Sequence, residues 1–195
     1  MTEDDGCRQV MERNRLEAFS DGVLAIIITI MVLELSIPDG EGLQDLLDMG
    51  PVLISYLVSF LFIAIYWVNH HLIFIQAERI NIGILWCNIL WLLVMSFIPF
   101  FTAWVGYHPN AGFPVAMYFL DMFLACMLFH AMYYLILKEN GKRFKLDLRS
   151  AVSMVTYFLA AAIGGLNPIV TYVIVSIVSC WWIIPKKGDS ETSDD

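Results

Sequence analysis

Residues 19–35 read "FSDGVLAIIITIMVLEL", and how that stretch is understood decides how the rest of the chain folds. Twelve uncharged residues, most of them Val, Leu, Ile or Met, separate Asp21 from Glu34. As a helix they rise about 18 Å, whereas the hydrocarbon core of a bilayer is about 30 Å thick. A helix this apolar, with a carboxylate near each end, is costly to leave alone in lipid, and acids at such depths normally face protein or water. The stretch therefore predicts a membrane helix that packs against neighbours.

The whole chain agrees with a membrane setting. Its 195 residues are 59% hydrophobic and only 15% charged, with a mean hydropathy of +0.70, which excludes an ordinary soluble domain. A net charge of −8, with no basic residues interleaved among aromatics, excludes a nucleic-acid binder. The opening "MTEDDGCRQVMERNR" has mixed charge, and no small-residue cleavage site follows the first apolar run, so no cleaved leader is expected. Cys7, Cys87, Cys126 and Cys180 show no CxxC spacing. The last three lie in apolar runs and read as small core side chains rather than metal or disulfide partners.

Apolar runs of membrane-spanning length occur at about 17–37, 51–75, 80–104, 113–137, 150–166 and 168–184. They predict an all-α membrane protein with six transmembrane helices. Residues 1–16 would form a cytoplasmic segment, 17–184 the membrane domain, and 185–195 an acidic, disordered cytoplasmic tail. The last two spans are short and share the tight "GGLNP" connection. Trp104, Tyr107, Trp181 and Trp182 stand near run ends, where interfacial anchors sit. All eleven Lys and Arg fall on one side of a six-span arrangement: Arg8, Arg13 and Arg15, then Arg79, the set from Lys138 to Arg149, and Lys186 with Lys187. By the positive-inside rule both termini are cytoplasmic, in a multi-pass protein of the cell membrane. The first outer loop is acidic, with Asp39, Glu41, Asp45 and Asp48 following Glu34. It reads either as a solvated loop or as a vestibule that concentrates cations through its field.

At 100° per residue, Ile26, Thr29, Ile30, Leu33 and Ile37 fall within about 60° of Ile26, while Asp21 projects about 140° away. That stripe suits a core helix packing by its apolar face. It equally suits a helix that lines a pore, where rings of Ile and Leu contributed by several symmetric copies would form a hydrophobic constriction. The second span runs inward and brings "YWVNHH" (66–71) to the depth of Asp21 and Arg15. Hydrogen bonds among Ser20, Asp21, Asn69, His70, His71 and a Trp N–H would satisfy groups that are expensive in a bilayer, with Trp67 counted in the same structural network; Asn81, Trp86, Asn88 and Trp91 enter at the same level. Adjacent histidines point about 100° apart, which argues against a metal site. Asp121 and His130 read as structural.

The segment "RLEAFSDGVLAIIITIMVLEL" also carries a resemblance. Arg15, Phe19, Ser20 and Asp21 spell R-x-x-x-F-S-D, which resembles the first-helix signature of the lysosomal potassium channel family (transmembrane protein 175) and its prokaryotic members. "YWVNHH" is similar to that family too. The resemblance implies a potassium-permeable cation channel, and no TVGYG filter occurs here. With one six-helix repeat, the chain looks like the prokaryotic kind, which the resemblance implies is a homotetramer with first helices lining the pore. It further implies that Ile26, Ile30 and Leu33 constrict the pore, that Thr29 bears on selectivity, and that Arg15, Ser20 and Asp21 tie the pore helix to its neighbours. No cofactor is expected.

Two other functions compete. An ion-coupled secondary transporter could use Asp21 and the His pair as a relay, but no inverted repeat or broken helix pair is evident. An intramembrane enzyme built on Asp21, His70 and His71 lacks a nucleophile or zinc spacing.

Overall fold

The computed structural model describes residues 3–183, with side chains described over 12–182 except at 165, 169 and 180. The 185–195 tail, with Lys186 and Lys187, and the side chains of Cys7, Arg8 and Cys180 thus lie outside the described residues. Among the described residues every regular element is helical: α1 (Glu3–Leu33), α2 (Leu43–Asp48), α3 (Gly50–Ile75), α4 (Ile82–Met95), α5 (Ile98–Tyr107), α6 (Gly112–Glu139), α7 (Leu148–Ile163) and α8 (Pro168–Cys180). Four rods are long and apolar enough to cross a bilayer: Glu12–Leu33, Gly50–Ile75, Ile82–Tyr107 and Gly112–Glu139. The remaining two expected spans are apolar helices of 16 and 13 residues. These rise only about 24 and 20 Å.

Two boundaries differ from the sequence reading. The first helix begins within the charged N-terminal segment and ends at Leu33, so Ile37 lies beyond it. Pro38 keeps the helix from running on through Ile37, because its ring disfavours helical backbone there. The third rod is broken at Ser96 and Phe97 between α4 and α5. Pro99 lacks an N–H and crowds the carbonyl of Met95, which breaks the hydrogen-bond ladder there.

At the centre stands α6, packed along α4, α5 and α7, while α3 packs along α5 and α1. Tyr118, Met122, Ala125, Phe129, Met132 and Ile136 are buried at three- and four-residue spacing along it. In lipid such burial gains little from water exclusion, so close packing and interhelical hydrogen bonds carry the stability. One buried knot joins α3, α5 and α6. Thr102 Oγ1 donates to the Ile98 carbonyl (2.6 Å), so it must accept from Ser59 Oγ (2.6 Å), and Ser59 in turn accepts from Tyr118 Oη (2.7 Å). At Gly106 the two backbones come together: a Cβ there would stand 2.9 Å from the Val52 Cα. Gly141, at φ +67°, closes α6 by giving its N–H to Lys138, while the Lys142 N–H returns to Leu137.

Cys126 is buried and Cys87 half-buried, packed as small core side chains. Asp121 is buried, and His130 donates from Nδ1 to the Cys126 carbonyl (2.8 Å).

The first helix as candidate permeation site

The face that α1 turns to the bundle is Leu16, Ser20, Leu24, Ile27 and Met31, all buried. Helical periodicity then leaves the opposite face outward. Ile26, Thr29, Ile30 and Leu33 are all exposed on the single chain, Ile26 at 58% and Leu33 at 79%. Ile28, on the other side, is half-buried against the core. Thr29 Oγ1 donates to the Ile26 carbonyl (2.8 Å), which uses its hydrogen and leaves oxygen lone pairs as its remaining polar capacity. Beside this face runs an open groove of about 710 Å³, lined by Ile26, Ile30 and Glu34 of the first helix region and by Phe100, Trp104 and Tyr107 of α5.

Polar contacts tie the helix to α3 and α4 in three separate sets. Asn88 Nδ2 on α4 donates to Ser20 Oγ (2.9 Å), and Ser20 Oγ donates to the Leu16 carbonyl (2.9 Å). With its amide nitrogen so used, Asn88 presents Oδ1 to His70, so His70 Nε2 is the donor (2.9 Å). The His70 ring stacks on Trp91 at 5.0 Å and 11° and on Phe74 at 4.4 Å. Separately, Trp67 Nε1 donates to Asp21 Oδ1 (2.9 Å). Glu17 Oε1 meets His71 Nδ1 (3.0 Å), with Arg13 4.0 Å from its other oxygen.

The residues singled out in the sequence are thus distributed rather than pooled. Asp21 bonds to Trp67, whereas Ser20 and His70 meet through Asn88. Asn69 turns to the Ile65 carbonyl (2.7 Å) within its own helix. Phe19 and Arg15 are exposed, and Arg15 joins none of these bonds among the described residues. The sequence reading missed Glu17, whose partner stands 54 positions away. In the segment between α1 and α3, Glu34, Asp39 and Glu41 are exposed. Asp45 instead caps α2 by accepting from the Gly42 N–H (2.9 Å), and Asp48 accepts from Gln44 (2.9 Å). Among the described residues, no three His, Cys, Asp or Glu converge as metal ligands would.

Long apolar rods, a polar network inside them and an exposed apolar stripe define a multi-pass α-helical membrane protein. The family model described as "Endosomal/lysosomal potassium channel TMEM175" matches residues 15–99. A potassium channel of Chryseobacterium sp. (strain P1-3) is 36% identical over 183 residues, covering 91% of this chain and 95% of that protein. The crystal structure of a lysosomal potassium-selective channel TMEM175 homolog from Chamaesiphon minutus superposes with a TM-score of 0.80 at 27% identity, over 89% of this chain and 97% of the other. The endosomal/lysosomal proton channel TMEM175 of Gallus gallus is 33% identical over 103 residues, which are 20% of its length. The chain belongs to the TMEM175 potassium channel family, a family of channels and not of enzymes.

Proposed function

We propose that this chain is a potassium-permeable cation channel of the prokaryotic cell membrane, in which the first helices of four copies surround the conduction path. Its six apolar helical segments would each cross the bilayer, with both termini cytoplasmic. The observation that carries this reading is the exposed stripe of Ile26, Ile30 and Leu33 on a helix whose opposite face is fully used by the bundle. A single copy leaves that stripe open along the groove it shares with α5.

In this reading Ile26, Ile30 and Leu33 form successive apolar rings, spaced over about 10 Å from Ile26 to Leu33. Such rings have no oxygen to replace an ion's water. They block by dewetting when narrow and discriminate through the cost of partial dehydration when wider, with no TVGYG filter. Thr29 oxygens lie between the rings and supply the polar relief. Glu34, Asp39 and Glu41 form the outer vestibule, raising the local cation concentration. Arg15, Phe19, Ser20, Asp21 and the 67–71 segment position the helix and do not touch the ion. The named relatives are channels, and the coupled-transporter reading draws no support from them.

Reconstitution into planar bilayers under opposed potassium and sodium gradients tests the proposal. Unitary currents reversing toward the potassium equilibrium potential are expected. Slow, saturating flux without unitary events would reject a channel.

A further inference from the structure

Gly22 stands inside α1, four residues before Ile26 and therefore about 40° from it around the helix and about 6 Å along it. That angle puts it in the sector of Ile26, Thr29, Ile30 and Leu33, and like them it is exposed on the single chain. Glycine is the poorest helix former after proline, so a glycine well inside a long helix calls for a reason. At Gly106 and Gly164 the reason is packing. A Cβ would stand 2.9 Å from the Val52 Cα at the first and 3.1 Å from the Thr171 Cγ2 at the second. At Gly22 a Cβ would meet nothing within 4 Å. Among the described residues, no neighbour within the chain requires the missing side chain, so its use comes from what surrounds the chain.

A glycine exposed on a membrane helix serves in one of two ways. A second helix packs closely on its bare backbone, or the space itself is used. A close crossing at Gly22 would have to clear Ile26 one turn on, whose side chain stands 58% exposed and props a second helix away. Open space fits the sector better. Where the stripe surrounds an ion path, a level without side chains beside four Ile26 is a wide section that stays wet. A cation keeps its water there until it meets the apolar ring, where dehydration is costly. We propose that Gly22 sets the width of the path on the N-terminal side of the Ile26 ring and leaves room there for a hydrated cation. This rests on the reading of the α1 stripe as the wall of the path.

Single-channel recording of Gly22→Ala, Gly22→Leu and Gly22→Cys in the full chain tests it, with melting temperature and cross-linking in mild detergent read in parallel. Leucine adds an apolar ring one turn from Ile26 and lengthens the section that expels water. Conductance should fall about threefold or more in Gly22→Leu and by less in Gly22→Ala. Gly22→Ala should melt no lower than the parent, because its methyl meets open space and favours the helix. On Gly22→Cys, a methanethiosulfonate reagent carrying a trimethylammonium group, added on the side of the α1 N-terminus, fixes a cation in the path. It should cut the current about fivefold or more, while the parent, with its four native cysteines, keeps its current. If Gly22→Leu fails to assemble, Gly22→Ala and Gly22→Cys decide. Parental conductance in Gly22→Ala together with a Gly22→Cys current that ignores the reagent overturns the proposal. A Gly22→Ala that melts lower and cross-links poorly also overturns it, in favour of a helix packed on the backbone. If Ile26→Ala changes permeation and no Gly22 variant does, this inference fails and the reading of the stripe stands. If neither position affects permeation, both fail.

Discussion

Asn88 ties three helices with one side chain, giving its amide N–H to Ser20 of α1 and its carbonyl oxygen to His70 of α3. All three residues are buried, at 1% exposure or less. Asn88→Ala therefore strands the His70 N–H away from water and removes a donor from Ser20. Leaving a buried polar group unpaired costs about 1–3 kcal/mol. Asp21 is exposed and loses one bond to Trp67 when truncated. Thermal unfolding in detergent should consequently show a clear drop for Asn88→Ala and a smaller one for Asp21→Ala. An Asp21→Ala drop larger than that of Asn88→Ala would mean that the carboxylate makes its main contacts between subunits. The polar residues at this depth were visible in the sequence because each interrupts an apolar run. Their pairing was not visible, since Ser20 and Asp21 are chain neighbours that turn to different helices, and Glu17 reaches His71 only once α1 and α3 lie side by side.

Helices bounded by turn-forming residues were legible almost to the residue. The runs at 51–75 and 113–137 became Gly50–Ile75 and Gly112–Glu139, with Pro51 and Gly112 marking their starts. The first helix was not, because its N-terminal turns are charged and carry no apolar periodicity, yet they are continuous with the apolar part of the helix. Pro99 was readable as a breaker, but apolar residues on both sides hid the break. The same elements rest on one tight crossing. Gly106 lets α5 approach α3 where a Cβ would meet the Val52 backbone, which cannot swing aside as a side chain can. Gly106→Ala should push the helices apart and lower stability by about 1–3 kcal/mol, the usual cost of overpacking. Melting temperature read by scanning fluorimetry checks this, and an unchanged value would mean that the crossing is looser than drawn.

Four copies around an axis would give the α1 stripe a use that one copy lacks. Cross-linking of the purified protein in mild detergent should trap species up to four chains. A strictly monomeric protein that still conducts would remove the shared-axis account. Stability does not address where ions go, and substitution along α1 does. Ile26→Ala and Leu33→Ala remove apolar atoms from exposed positions and should widen and wet the rings. Ile28→Val, on the half-buried opposite face, trims one methylene and serves as the control. The decisive measurement is single-channel conductance together with the bi-ionic potassium–sodium reversal potential for these three variants. The account predicts larger conductance and weaker potassium preference for Ile26→Ala and Leu33→Ala, with Ile28→Val unchanged in both. Permeation that shifts with Ile28→Val and ignores Ile26→Ala and Leu33→Ala would contradict the assignment of the exposed face of α1 to the pore.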